Sequence, residues 1–149
     1  MPYGHFSEFE AERISSNTLH NPDSTTNQGV TILKVISKKG FPEVITNLPE
    51  ADIALEGVKA WIVQGNGQQL VFFEMEPSAK IPEHSHDYPQ WGMVIEGKME
   101  MTIDGSPKVY EKGDEYLVPA RAKHSANYLS RVRVMDLFKE NARYRSKPR

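Results

Sequence analysis

Residues 82–97 of the chain read "PEHSHDYPQWGMVIEG", and they include two of its five histidines, His84 and His86, one residue apart. In an extended strand, side chains two positions apart lie on the same face, so both imidazoles are expected to point the same way. Gln90 has the same parity if the strand stays regular through Pro89. Two imidazoles and an amide oxygen on one face form most of a site for a divalent transition metal.

The pattern around these histidines is more specific than the pair alone. From His84 the chain reads H-x-H-x3-Q-x6-G, and a second pattern, Gly113-x5-Pro119-x4-His124, follows. Together the two patterns resemble the two motifs of the cupin superfamily, over about residues 58–138. The resemblance implies a double-stranded β-helix, or jelly roll, with a metal ion inside the barrel. The implied ligands are His84, His86, Gln90 and His124.

Two positions depart from the family pattern. Gln90 stands where the first motif usually has glutamate, and Arg121 stands where the second motif usually has glycine. Glutamine keeps an oxygen ligand but removes its charge. The arginine leaves open how closely the turn before His124 follows the family.

Short runs of β-branched and aromatic residues recur at roughly ten-residue spacing, separated by turn formers such as Asp104-Gly105. This pattern predicts an all-β sandwich or barrel. The runs are "GVTILKVI", "VKAWIVQG", "QLVFFEME", "QWGMVIEG", "KMEMTIDG", "DEYLVPA", "KHSANYL" and "RVRVMDLF". One short helical turn is expected in "NLPEADIALEG" and another in "SEFEAERI".

The 149 residues fit one domain, and the absence of cysteine excludes disulfides, thiolate metal sites and a cysteine nucleophile. We expect an irregular polar amino-terminal arm over residues 1–29, the cupin domain over 30–140, and a basic carboxy-terminal tail over 141–149. No signal peptide or membrane span is evident, which favours a cytoplasmic protein with no membrane partner. The net charge of −2 gives no reason to expect nucleic acid. The flat outer face of a jelly roll, with the arm, favours a homodimer.

Alternation in "RVRVMDLF" makes Asp136 a candidate catalytic residue. Val132, Val134, Asp136 and Phe138 share one face, so a carboxylate points into the barrel if the valines do. A buried carboxylate beside a metal is a candidate general acid or base. Two alternatives stay open: a bulge turns Asp136 outward, or the carboxylate only pairs with an arginine.

Substrate-binding residues are expected beside these groups. By alternation, Tyr88 and Tyr128 line the pocket. The ligand set and the pair Asp136 and Phe138 further resemble the small single-domain cupins of pectin degradation, which act on unsaturated uronates. That resemblance implies roles for Phe138 and for an arginine on the same strand; the nearest candidate, Arg143, lies one residue further along than in the family pattern.

Three functions remain open at this point. Neutral ligands leave the ion its full double positive charge, which favours Lewis-acid isomerisation, ring opening or elimination on a small anionic sugar or keto acid. An iron-dependent dioxygenase and a non-catalytic ligand-binding module are the alternatives. The cofactor is expected to be one divalent metal ion, of zinc, nickel, iron or manganese.

Overall fold

Residues 40–148, the part of the chain that this computed structural model describes, contain one helical turn and nine strands. The turn is α1 (Glu43–Thr46), and the strands are β1 (Val58–Gln64), β2 (Gln69–Met75), β3 (Lys80–His84), β4 (Gln90–Glu96), β5 (Lys98–Ile103), β6 (Ser106–Glu111), β7 (Glu115–Val118), β8 (His124–Tyr128) and β9 (Val132–Phe138). Within these residues no helix has the length and hydropathy of a membrane span.

The strands form two antiparallel sheets. The five-stranded sheet has the order β1-β2-β9-β4-β7, and the four-stranded sheet has the order β3-β8-β5-β6. Alternate residues are buried, and β9 shows the pattern most clearly, with Val132, Val134, Asp136 and Phe138 all buried. The sheets therefore share one core, and the predicted all-β jelly roll is confirmed.

Seven of the predicted runs correspond to β1, β2, β4, β5, β7, β8 and β9. The run "GVTILKVI", the helical turn in "SEFEAERI" and the amino-terminal arm lie outside the described residues. The helical turn expected in "NLPEADIALEG" is wrong: the described turn, α1, lies just before that stretch, after Pro42. Proline's fixed φ suits the start of a helix, which favours the earlier position.

The predicted apolar runs did not include β3 and β6, the two edge strands of the four-stranded sheet. Each contains a proline, Pro82 in β3 and Pro107 in β6, and few buried residues. Proline cannot donate to a neighbouring strand and is tolerated at edges, so a pattern built on apolar residues does not detect such strands.

The chain after β9 packs against the barrel through its backbone. The side-chain amide of Gln69, 1% exposed, donates to the Tyr144 carbonyl and accepts from the Tyr144 N–H, both at 3.0 Å. Two further backbone bonds, Asp52 N–H to Arg145 and Lys147 N–H to Glu50, are each 2.8 Å long. These bonds fix the position of the neighbouring Arg143.

Arg121 takes the left-handed backbone conformation that the family's glycine would take, with φ of +67°. Its N–H donates to the His86 carbonyl at 2.7 Å, which ties the turn before His124 to the loop that carries His86. The turn is thus kept in spite of the substitution, at the steric cost of a Cβ atom in this region.

Replacing Arg121 with glycine is expected to raise the free energy of unfolding by about 0.5–1 kcal/mol, because relief of strain exceeds the added flexibility of the unfolded chain. The exposed ion pair with Asp87, 3.3 Å long, contributes little. Arg121→Val should instead lower stability. Urea denaturation of the native protein and the two variants measures both effects. A glycine variant that is less stable than the valine variant would contradict the left-handed backbone conformation at residue 121.

Candidate metal centre and cavity

Three histidines converge between the two sheets. His84 ends β3 and pairs across the strands with His124, which begins β8, while His86 lies in the loop after β3. One ring nitrogen of each lies within 4.8 Å of the others. His86 and His124 are only 9% and 4% exposed. Three buried or half-buried imidazoles this close together form a candidate site for a metal ion.

The reason for this convergence differs from the one predicted. The strand ends at His84, so His86 and Gln90 do not continue one regular face. Residues 85–89 instead cross from the four-stranded sheet to the five-stranded sheet, where Gln90 begins β4. The first motif therefore spans both sheets, and its ligands face one another across the barrel.

Each histidine has its Nδ1 atom held by a backbone carbonyl. His84 Nδ1 lies 2.9 Å from the Pro82 oxygen, and His124 Nδ1 lies 2.9 Å from the Ala122 oxygen. For His86 the acceptor is the Tyr88 oxygen, at 2.6 Å. Because a carbonyl only accepts, Nδ1 carries the proton in each ring, and each Nε2 keeps a free lone pair.

Gln90 adds an oxygen to these nitrogens. Its Nε2 donates to Asp136 Oδ2 at 3.0 Å, which turns its Oε1 toward His86 Nε2, 3.2 Å away. Both of these facing atoms are acceptors, and His124 Nε2 is buried without a partner. Lone pairs that face one another in a buried site repel unless a cation lies between them. The residues present therefore fit a divalent metal ion.

Asp136 faces inward and accepts two hydrogen bonds. Besides the bond from Gln90, the Tyr116 hydroxyl donates to its Oδ1 at 2.5 Å. In the sheet, Gly92 pairs with Tyr116 on one side and Asp136 on the other. A Cβ atom at Gly92 would overlap both side chains. Only glycine leaves room for the tyrosine to reach across β4.

Burial controls the protonation of these groups. It raises the pKa of Asp136 to about 7, although the hydrogen bonds from Tyr116 and Gln90 oppose the shift. Burial also raises the pKa of Tyr116, with a further contribution from the charge of Asp136. The pKa of His124 is lowered, mainly by burial, in spite of its bond to the Ala122 carbonyl. A neutral His124 is the form that binds a metal.

A cavity of about 410 Å³ lies beside the histidines. Its wall contains Leu55, Val58, Phe73, Met75, Ile81, Pro82, His84, Ser85, Gln90, Met99, Met101, Tyr116, His124, Ser125, Ala126, Tyr128, Val134, Asp136, Phe138, Arg143 and Tyr144. Three of the four expected substrate-binding residues are therefore on this wall: Tyr128, Phe138 and Arg143. The fourth, Tyr88, is not among these wall residues but is adjacent: its ring stacks on His86, with centroids 4.5 Å apart, and lies 6.5 Å from Phe138.

The alternatives for Asp136 are decided by these contacts. No bulge turns it outward, since it is 5% exposed and in register with Gly92. Among residues 40–148 no arginine forms an ion pair with it. It is also the only carboxylate among the described residues of the cavity wall.

Sequence reasoning missed Tyr116, Gln69 and Tyr144. Tyr116 could have been found by alternation in "DEYLVPA", because it shares a face with the buried Val118. Tyr144 lies beyond the last strand, where no periodicity operates, and the role of Gln69 follows only from its contact with that segment.

In the metal-free protein, Asp136→Asn should change how stability depends on pH. In the unfolded chain Asp136 loses its proton near its ordinary pKa, whereas the folded protein retains the proton to a pKa of about 7. Between these values the unfolded state binds fewer protons, so rising pH favours unfolding. Between about pH 4 and about pH 7, the free energy of unfolding of the native protein should fall by about 2–4 kcal/mol relative to that of the asparagine variant. Above about pH 7 this difference should stay constant. Urea denaturation in chelator tests this, and parallel pH profiles would contradict it.

Known proteins share the sequence pattern and the fold of this region. Residues 71–138 match the Cupin domain family. An RmlC-like cupin from Shewanella frigidimarina NCIMB 400 is 28% identical, with a TM-score of 0.60 over 70% of this chain and 90% of that one. KdgF from Halomonas sp. is 25% identical, with a TM-score of 0.59 over 66% of this chain and 90% of that one.

A more distant structure shares the fold alone. It is an oxalate decarboxylase variant from Bacillus subtilis, 18% identical, with a TM-score of 0.57 over 66% of this chain and 29% of that one. Among curated proteins, none matches the sequence. From the match over residues 71–138 and the two similar structures, we conclude that this chain has a cupin-type jelly-roll fold and that this segment resembles the Cupin domain.

Proposed function

We propose that this protein is a metal-dependent cupin enzyme that isomerises, ring-opens or eliminates from a small anionic substrate, a sugar or keto acid. One observation carries the proposal: the free lone pairs of three histidines and Gln90 converge beside Asp136, the only carboxylate on the described cavity wall. A metal site and a proton-transfer group thus share one cavity.

The metal ligands in this proposal are His84, His86, Gln90 and His124. All four are neutral, so a bound divalent ion keeps its full charge and supplies a Lewis acid for a substrate carbonyl or hydroxyl. Zinc, nickel, iron and manganese all suit imidazole and amide ligands, and availability decides among them.

The remaining roles belong to side chains of this chain. Asp136 takes or gives the proton, since its carboxyl group lies on the cavity wall one hydrogen bond from Gln90. Arg143 holds the anionic group of the substrate, because its guanidinium lies on the same wall. Phe138 and Tyr128, 2% and 8% exposed, limit the access of water.

The position of Asp136 also bears on the alternatives. A module that only binds a ligand requires no carboxylate near the metal, so the inward carboxylate favours an enzyme. An iron-dependent dioxygenase uses the same fold, but four neutral ligands donate little electron density to oxygen. Oxygen uptake by the ferrous protein separates this alternative from Lewis-acid chemistry.

Gln90→Glu should retain the metal and reduce turnover. A carboxylate binds the ion at least as well as an amide, but it lowers the charge of the site by one and removes the donor to Asp136. We expect stoichiometric metal, weaker binding of anionic substrates and a fall in turnover of about tenfold or more.

Metal analysis and assays with unsaturated uronates and small keto acids measure these effects. His86→Ala serves as the variant that should lose metal, and His20→Ala, outside both motifs, as its matched control. A fully active Gln90→Glu variant, or one whose ferrous form gains oxygen uptake, would contradict the Lewis-acid proposal.

We also propose that two copies associate through the outer face of the five-stranded sheet. Cross-strand pairing places Leu70, Leu137, Trp91 and Leu117 in one row across four strands. Leu117 is 59% exposed, and the other three are partly exposed. An apolar row on the outside of a sheet is typical of an interface between subunits.

Leu117→Glu should convert the dimer to a monomer, because it puts a charge into this row. Val109→Glu is the matched control, since Val109 is 42% exposed but lies on edge strand β6 of the other sheet. Light scattering at micromolar concentration gives the mass of each protein. A native protein that is already monomeric would overturn the proposal.

A further inference from the structure

The cavity has two chemically different ends. At the first lie His84, His124, Gln90 and Asp136. Strand pairing shows what lies beyond them: His124 pairs with Ile103, then Ala126 pairs with Met101, and Tyr128 pairs with Met99. Each such step moves about 7 Å along the strands, away from the metal ligands.

The second end is apolar on both sheets. Met99 and Met101, 1% and 5% exposed, form its floor on the four-stranded sheet. Phe73 and Val134, which pair across β2 and β9, face them from the other sheet. Tyr128 adds a hydroxyl at this level, and burial raises its pKa, so it stays neutral. Thioether and hydrocarbon groups therefore surround most of this end.

Only one cation lies on the described cavity wall, and it belongs to the polar end. Arg143 lies over the rings of Phe138 and Tyr144, at 5.8 and 5.1 Å. Its Nε atom is buried without a hydrogen-bond partner. The Phe138 ring lies 6.1 Å from the His86 ring, so Arg143 is close to the metal ligands. One anionic group near the metal centre is what this arrangement can neutralise.

A sugar acid fits such a cavity poorly. It carries a hydroxyl on almost every carbon, and each hydroxyl buried without a partner costs free energy. The residues that face one another at the apolar end, Met99, Met101, Phe73 and Val134, offer no hydroxyl, amide or charged group to bond them. A hydrocarbon or aromatic body has no such cost and gains from burial.

We propose that the substrate is a small amphipathic 2-oxo acid or related carboxylate, whose acid group lies at Arg143 and the metal centre and whose apolar body lies against Met99 and Met101. This inference rests on the proposed function and narrows its substrate class from sugars and keto acids to apolar keto acids. The cavity volume of about 410 Å³ suits a compound of this size.

A homologous series of straight-chain 2-oxo acids tests the inference on the zinc-loaded full chain by calorimetry. From pyruvate through 2-oxobutanoate and 2-oxopentanoate to 2-oxohexanoate, affinity should rise roughly threefold to fourfold for each added methylene. Galacturonate, the hydroxylated comparison, should bind at least about tenfold more weakly than 2-oxohexanoate.

Two variants, each with a control, test the two ends of the cavity one at a time. Met101→Gln should weaken 2-oxohexanoate more than pyruvate and so flatten the chain-length dependence, whereas Met93→Gln, on the outer face of the sheet, should leave that dependence as it is in the native protein. Arg143→Gln should weaken the whole series equally, with the exposed Arg145→Gln as control. Should Met101→Gln fail to fold, the affinities of the native protein for the 2-oxo acid series still test the apolar substrate class.

Failure of this inference is distinct from failure of the proposed function. A flat series, tighter binding of galacturonate, or no binding of any 2-oxo acid overturns the apolar substrate class, even where the protein turns over a uronate. A chain-length dependence that persists without metal or turnover supports the substrate class and counts against the metal-dependent enzyme.

Discussion

Three hydrogen bonds from imidazole N–H groups to backbone carbonyls determine the chemistry of this barrel. The acceptors, Pro82, Tyr88 and Ala122, each lie two residues from the histidine they hold, so local chain geometry sets the tautomer of each ring. Because every Nδ1 carries the proton, every Nε2 is free for a metal. The loop between the sheets and the turn at Arg121 then bring these nitrogens together.

A second set of contacts orients the oxygen ligand. Tyr116 donates to Asp136, Asp136 accepts from Gln90, and Gln90 turns its oxygen toward the histidines. This chain of bonds passes over Gly92, whose missing side chain leaves the necessary space. The same carboxylate therefore positions a ligand and faces the substrate cavity, so changes at Asp136 affect both metal binding and proton transfer.

The sequence predicted those features that depend on local spacing. Strand alternation placed Asp136 inside the barrel, and the two motifs named histidines that do converge. Alternation does not describe the chain where the backbone leaves the strand: Tyr88, in the loop after His86, stacks on that ring. Features that require contacts between distant segments could not be predicted. The bond between Gln69 and Tyr144 and the two-ended cavity are of this kind, because they depend on how the sheets pack.

The tautomers of His84, His86 and His124 decide whether their Nε2 atoms can bind a metal, and nitrogen NMR of the histidine rings measures them. In the metal-free protein, we expect the neutral rings of His84, His86 and His124 to carry the proton on Nδ1. Addition of zinc should then shift the three Nε2 resonances together and reach completion at one equivalent. Rings protonated on Nε2, or Nε2 resonances that do not respond to zinc, would contradict the metal centre described for this cavity.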